Sequence, residues 1–229
     1  NKGGTYEEAA VLYRSNAQSR AIEEALLRVS IPYRIYGGLR FYERLEIKNA
    51  ISYLRIIFNN NDNPSFERSI SNPTRGVGEK TLAKIRNAAK QYNISYIKAS
   101  AKLIDEGKIS GRGGSGLKDY LEFIAGCKGF IEENSLSDLM ELIIKETGLY
   151  AYHAKEAGEK GKTRTENLEE LITATKNFEQ SIKDERTNIE IAESYLDIIS
   201  LDSGDRQASE HDDAAQLMTM HSAKGLEFK

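Results

Sequence analysis

The sequence has 229 residues, of which 39% are hydrophobic and 29% charged, so it can bury a core as one large domain or two small ones. Its single cysteine excludes an intramolecular disulfide and a cysteine cluster for zinc, and its start lacks the apolar segment of a signal peptide. Since it contains no run of about 18 apolar residues, we expect a cytoplasmic protein that does not cross a membrane.

Charge is unevenly distributed along the chain, although the formal net charge is only −3. Residues 1–58 carry +3 and residues 64–118 carry +7, whereas residues 119–229 carry −12. A basic first half beside an acidic second half indicates a polyanion, such as nucleic acid, that contacts one face only. The alternative is that acidic helices keep the chain soluble, and charge alone favours neither interpretation.

The first 36 residues are predicted to form a strand, a helix and a second strand. The apolar run 9–13 is typical of a buried strand, and residues 17–29 repeat apolar side chains at helical spacing. Residues 33–36 indicate another strand, which Gly37 and Gly38 end. A strand–helix–strand unit of this kind is the building block of a parallel sheet.

Helical patterns then dominate from about residue 44 to residue 200. We expect glycines to break them at residues 111–116, at Gly126 and at residues 158–161, and a solvated linker to cover residues 202–213. An apolar strand is predicted to return at residues 215–220. The predicted fold class is therefore mainly α, with a helical domain inserted into a partial α/β domain. The alternative is one continuous α+β domain with a small mixed sheet.

A glycine-rich turn is predicted to open the helix that follows residue 78. Gly76 and Gly78 allow a phosphate to approach the backbone, and the helix N-terminus then attracts its negative charge. Arg75, Lys80 and Lys84 add positive charge to the same segment. These features favour contact with a nucleic-acid backbone that does not read sequence. The alternative is an ordinary helix start whose charges are solvated.

Polar residues also follow two of the predicted strands. Arg14 and Asn16 come directly after the first, and His221 follows the last, where α/β proteins bind ligands. Asn16 is equally suited to cap the next helix. His153 is expected on the surface. A nucleotide-binding P-loop is not expected at Gly161-Lys-Thr163, because the glycine required five residues earlier is absent.

Three segments resemble helicase motifs IV, IVa and V of superfamily 1A, the UvrD, PcrA and Rep DNA helicases. They are Ala10–Arg20, Pro32–Arg44 and Gln216–Phe228. Thr74–Gly78 and Thr163–Leu171 look like the elements with which the 2B subdomain of that family contacts duplex DNA. The resemblance implies that residues 1–36 and 214–229 are parts of a RecA-like 2A domain. Residues 37–213 would then be the helical 2B insertion.

The resemblance also implies roles for individual residues, which extend those expected from local chemistry. Arg14, Asn16 and His221 would contact single-stranded DNA, while Gly225 and Glu227 would lie at the nucleotide. Gly76, Val77, Gly78 and Thr81 would face duplex phosphates, beside the positive charges of Arg75, Lys80 and Lys84.

The family resemblance implies a bacterial 3′–5′ DNA helicase that uses ATP and Mg²⁺. The P-loop, the acidic pair that holds Mg²⁺ and the arginine finger are absent here, so we expect no ATPase activity from this chain alone. Expected partners are single-stranded and junction DNA, together with repair proteins. The chain itself is expected to be a monomer or a weak dimer through unpaired 2A strand edges. A protein-interaction or autoinhibitory role for the helical part is the alternative.

Overall fold

The computed structural model describes residues 5–204 and 212–224, with side chains described to residue 200 and again from residue 212. About 68% of it is helical, and a small parallel sheet accompanies the helices. The prediction of a mainly α fold with a partial α/β part is confirmed.

The sheet joins the two ends of the described chain. It contains β1 (Ala10–Tyr13), β2 (Tyr33–Ile35) and β3 (Ala215–Thr219) in the order β1-β3-β2. Both pairings are parallel, with Val11 and Ile35 each opposite Leu217. The three predicted strands are thus confirmed, and the latest in sequence lies at the centre.

Helix α1 (Ser19–Arg28) connects β1 to β2 and covers one face of this sheet. Its apolar residues Ile22 and Leu26 pack against buried Tyr13, Tyr33 and Leu217. The opposite face leaves Leu12 about half exposed, at 51%. A parallel sheet is normally covered on both faces, so this one is incomplete within the described residues.

Among the described residues, nine further α-helices lie between β2 and β3. They are α2 (Leu45–Phe58), α3 (Asn63–Ser71), α4 (Glu79–Tyr92), α5 (Tyr96–Asp105), α6 (Gly111–Glu133), α7 (Leu136–Glu146), α8 (Leu149–Ala154), α9 (Glu159–Ser181) and α10 (Asn188–Gly204). They share one apolar core centred on α2, whose Ile47, Leu54 and Ile57 are fully buried. Burial of apolar surface, which contributes about 25 cal/mol per Å², is the main stabilisation of such a core.

Several predicted glycine breaks are wrong. Residues 111–116 form the first turns of α6, Gly126 lies inside the same helix, and Gly161 lies in the first turn of α9. Gly113 and Gly161 are needed because neighbouring backbone approaches them closely: a Cβ on Gly113 would lie 2.9 Å from the carbonyl oxygen of Gly76. The predicted linker at residues 202–213 is wrong at residues 202–204, which belong to α10, and residues 205–211 lie outside the described residues.

Candidate nucleic-acid interface

The predicted glycine turn lies between α3 and α4 and is exposed at both of its glycines. Gly76 has a φ of +75°, a left-handed conformation that favours glycine. Between the glycines, Val77 is buried in the helical core and anchors the turn. Gly78 caps α4 in an extended conformation, and a Cβ placed on it would meet no heavy atom within 4 Å. The turn is therefore anchored to the core through Val77, while its backbone at Gly76 and Gly78 is open to solvent.

The N-terminus of α4 faces the same open space. Thr81 and Leu82 donate their N–H groups to the carbonyl oxygen of Gly78, at 2.9 and 3.1 Å. The N–H groups of Glu79 and Lys80 precede these bonds at the positive end of the helix dipole. An anion above Gly78 would meet both of these features.

Two lysines of α4 are exposed beside the turn. Lys80 lies in the first turn, and Lys84 one turn later donates a hydrogen bond of 3.0 Å from Nζ to the carbonyl oxygen of Lys108. That bond brings α4 close to the segment that precedes α6. By contrast with Lys80, Arg86 forms ion pairs with the carboxylates of Glu67 and Glu79, at 2.6 and 2.5 Å. The Arg86 hydrogen bond lowers the pKa of Glu67 below its usual value.

Arg112 is a candidate contact residue that the sequence interpretation missed. It is exposed in the first turn of α6, and its side chain packs against Gly76: a Cβ on Gly76 would lie 3.1 Å from the Arg112 Cγ. The N-termini of α4 and α6 therefore meet at the turn. The available signal was an arginine among glycines at 111–116, the same pattern that singled out residues 74–78.

Arg75 points away from this surface. Its guanidinium group donates to the carbonyl oxygens of Ser69, Pro73 and Thr147, at 3.2, 2.8 and 3.1 Å. It also lies 5.4 Å from the ring centroid of Tyr53 and 5.7 Å from that of Tyr120. Arg75 is thus half-buried among protein groups, unlike exposed Lys80.

The residues predicted to contact a single strand meet at the carboxyl edge of the sheet. Arg14 directly follows β1, and His221 lies two residues after β3, the neighbouring parallel strand. The Met220 N–H donates to the Tyr13 carbonyl oxygen at 3.0 Å and holds the two ends together. Arg14 and His221 are both exposed, and Asn16 begins a short 3-10 helix beside them. Gly225 and Glu227 lie outside the described residues.

A buried polar network joins α1 to the helical core. Arg44 donates to the Asn16 carbonyl oxygen at 2.8 Å, to Ser19 Oγ at 2.6 Å and to Asn167 Oδ1 at 2.9 Å. Asn167 in turn donates to Glu46 Oε1 at 2.6 Å. Arg44 therefore connects the segment that follows β1 with α9.

Two further polar side chains are buried in the helical part. Asn167 is 2% exposed and paired through both side-chain atoms. The duplex contact expected of its segment, Thr163–Leu171, stays a prediction. His153 is fully buried rather than on the surface, and its Nδ1 lies 2.7 Å from Glu156 Oε1. Arg164 contacts the same Glu156 atom at 2.5 Å, and these contacts lower the pKa of Glu156 to about 2.

Other classes of site find little support in the described part of the chain. No group of three or more His, Cys, Asp or Glu side chains there could hold a metal ion. Cys127 is buried, and burial raises the pKa of its thiol to about 12, which makes it a poor nucleophile. Within the same residues, no helix is both long enough and apolar enough to span a bilayer.

Comparison with known proteins adds independent findings. The family described as UvrD-like helicase C-terminal domain matches residues 1–109 and 120–229. The chain is 46% identical to DNA helicase II of Escherichia coli K12 over 228 residues, which is 100% of the chain and 31% of the relative. It is 36% identical to the ATP-dependent DNA helicase PcrA of Bacillus subtilis 168 over 223 residues, 96% of the chain and 30% of the relative. The chain thus spans about a third of these relatives' length.

Proposed function

Because the chain belongs to the UvrD-like helicase C-terminal domain family, we propose that it is the DNA-binding part of an ATP-dependent DNA helicase of the UvrD and PcrA type. Residues 1–36 and 214–229 belong to a motor domain in this proposal, and residues 37–213 form a helical insertion. The whole protein acts in the bacterial cytoplasm on DNA during repair or replication.

The helical insertion binds duplex DNA through the turn at Thr74–Gly78 and the start of α4. The observation that supports this most strongly is the open, backbone-lined surface at Gly76 and Gly78, which is rigidly backed by Val77 and flanked by exposed lysines. Duplex phosphates approach the glycines and the α4 N-terminus, and Lys80, Thr81 and Lys84 add side-chain contacts. Arg112 extends the same positive surface onto α6. Such contacts position the protein on any sequence.

The carboxyl edge of the sheet binds single-stranded DNA. Arg14 and His221 are exposed on neighbouring strand ends, with Asn16 close by. This edge is where open α/β sheets place ligands. A junction with one duplex arm and one single-stranded tail is therefore the preferred substrate of the chain.

ATP and Mg²⁺ act in the whole protein, where Gly225 and Glu227 lie near the nucleotide. The present sequence contains no Gly-x-x-x-x-Gly-Lys-Ser/Thr motif, whose backbone and lysine would hold the phosphates. The chain alone therefore hydrolyses no ATP, and it binds DNA weakly and with strong salt dependence.

Fluorescence anisotropy with a labelled junction oligonucleotide tests the duplex contact. We expect the double substitution Lys80→Glu and Lys84→Glu to weaken binding at least tenfold at low salt, because two phosphate contacts become repulsive. The matched control is Lys176→Glu with Lys183→Glu, which makes the same charge change. These lysines flank Glu179, which accepts a hydrogen bond from the start of α7. Arg75 and the turn lie near the other end of α7, and the length of this helix, about 16 Å at 1.5 Å per residue, separates the control site from the turn. Equal affinities of the two double variants would refute the duplex contact.

A second function rests on the acidic residues of the segment 119–213, which suit a protein-binding or autoinhibitory surface. Capture of partners from lysate with and without nuclease separates the two proposals. Partners that survive nuclease treatment, together with no oligonucleotide binding, would favour this second function.

A further inference from the structure

We propose that Arg75 is a positioning residue, which holds the duplex-contacting turn in its binding conformation without touching DNA. The inference rests on the proposed duplex contact of residues 74–81, and it assigns Arg75 a role different from the phosphate contact predicted from sequence. Its charge is directed into the protein, where it ties three separate elements together.

The Arg75 guanidinium group connects the end of α3, the turn and the end of α7. It donates from Nη1 to the carbonyl oxygens of Ser69 and Pro73, and from Nη2 to that of Thr147. A planar group with donors spread across it can satisfy all three directions, whereas a lysine ammonium group on its flexible chain cannot reproduce this geometry.

Two tyrosines hold the guanidinium group from the core side. The rings of Tyr53 and Tyr120 lie within 6 Å of its central carbon, close enough for cation–π attraction. The Tyr53 hydroxyl group donates to the carbonyl oxygens of Ser69 and Asn72, at 2.6 and 2.9 Å. The segment leading into the turn is therefore fixed by the same cluster that holds Arg75.

Helix α6 holds the turn from the opposite side through its glycines. A Cβ on Gly113 would lie 2.9 Å from the Gly76 carbonyl oxygen, and a Cβ on Gly116 would overlap the Arg75 carbonyl oxygen. The backbone at residues 75–76 thus lies between the Arg75 side-chain contacts and the glycines of α6. Displacement at either side would move Gly76 and Gly78 relative to the phosphates.

The salt dependence of junction binding separates positioning from phosphate contact. Each phosphate neutralised by a cation contributes about 0.9 to the slope of log affinity against log salt. If Arg75 is a positioning residue, Arg75→Lys and Arg75→Gln both weaken binding by about tenfold and leave the slope unchanged. A tenfold loss of affinity corresponds to the loss of one or two hydrogen bonds. Lys80→Gln, as the comparison, lowers the slope by about 0.9. Near-native affinity for Arg75→Lys, with a lowered slope for Arg75→Gln, would overturn the proposal.

Amide hydrogen exchange without DNA provides a readout that does not depend on the proposed function. We expect faster exchange at residues 74–81 in both Arg75 variants and native exchange in Lys80→Gln. Gly116→Ala should behave like the Arg75 variants, even though alanine favours a helix more than glycine does. Unchanged exchange at residues 74–81 in the Arg75 variants and in Gly116→Ala would overturn the proposal. Faster exchange without any DNA binding would support the positioning role and refute only the duplex contact.

Discussion

Replacement of Asn167 by alanine should destabilise the chain by breaking the contact between α9 and the start of α2. Asn167 is 2% exposed, and it accepts from Arg44 at 2.9 Å and donates to Glu46 at 2.6 Å. Hydrogen bonds to charged groups contribute about 1.5–3 kcal/mol each. Arg44 retains its bonds to Asn16 and Ser19, which reduces the loss. We therefore expect the free energy of unfolding to fall by about 3 kcal/mol.

Urea unfolding followed by circular dichroism measures this change. For a chain of this size, about 3 kcal/mol corresponds to a decrease in Tm of roughly 6–12 °C. The control is Thr173→Ala on the exposed face of the same helix, which should change the free energy by less than about 0.5 kcal/mol. If Asn167→Ala and Thr173→Ala unfold at the same urea concentration, the network does not stabilise this junction.

Three further predictions follow from individual side chains. Because the pKa of Glu156 is lowered to about 2, its ionised form stabilises the fold above the unfolded pKa near 4.5, and that stability is lost as pH falls toward 2. Acid unfolding of Glu156→Gln should therefore show a weaker pH dependence between about 5 and 2. Cys127, whose thiol pKa is about 12, should react with a thiol reagent only after denaturation, and rapid native labelling would contradict its burial. Leu12, 51% exposed on the uncovered sheet face, should promote weak dimers, so Leu12→Glu should shift light scattering toward the monomer.

The sequence was sufficient where the signal was local. Alternation of apolar runs and glycines located all three strands, and the pair Gly76 and Gly78 located the exposed turn. A left-handed residue and a helix start depend on a few neighbouring residues, so their patterns are readable without the fold.

Errors arose where partners distant in sequence decide the outcome. Gly113 is typical of a helix break in isolation, yet it lies in α6, where the Gly76 backbone passes too close for a side chain. His153 is polar and is expected on the surface, but it is fully buried, with its Nδ1 at 2.7 Å from Glu156 Oε1. The contacts of Arg75 are equally unreadable from the sequence, since its acceptors at Ser69 and Thr147 come together only after α3 and α7 pack.

Site-directed crosslinking tests the central claim that the turn faces duplex DNA while the sheet edge faces the single strand. Because Cys127 is buried, a photoreactive group can be attached selectively to Lys80→Cys, to His221→Cys or to the control Lys176→Cys. On a junction oligonucleotide, Lys80→Cys should crosslink to the duplex arm and His221→Cys to the single-stranded tail, with little product from Lys176→Cys. Crosslinks from Lys80→Cys that are no more abundant than those from Lys176→Cys, or that fall on the tail, would contradict the account.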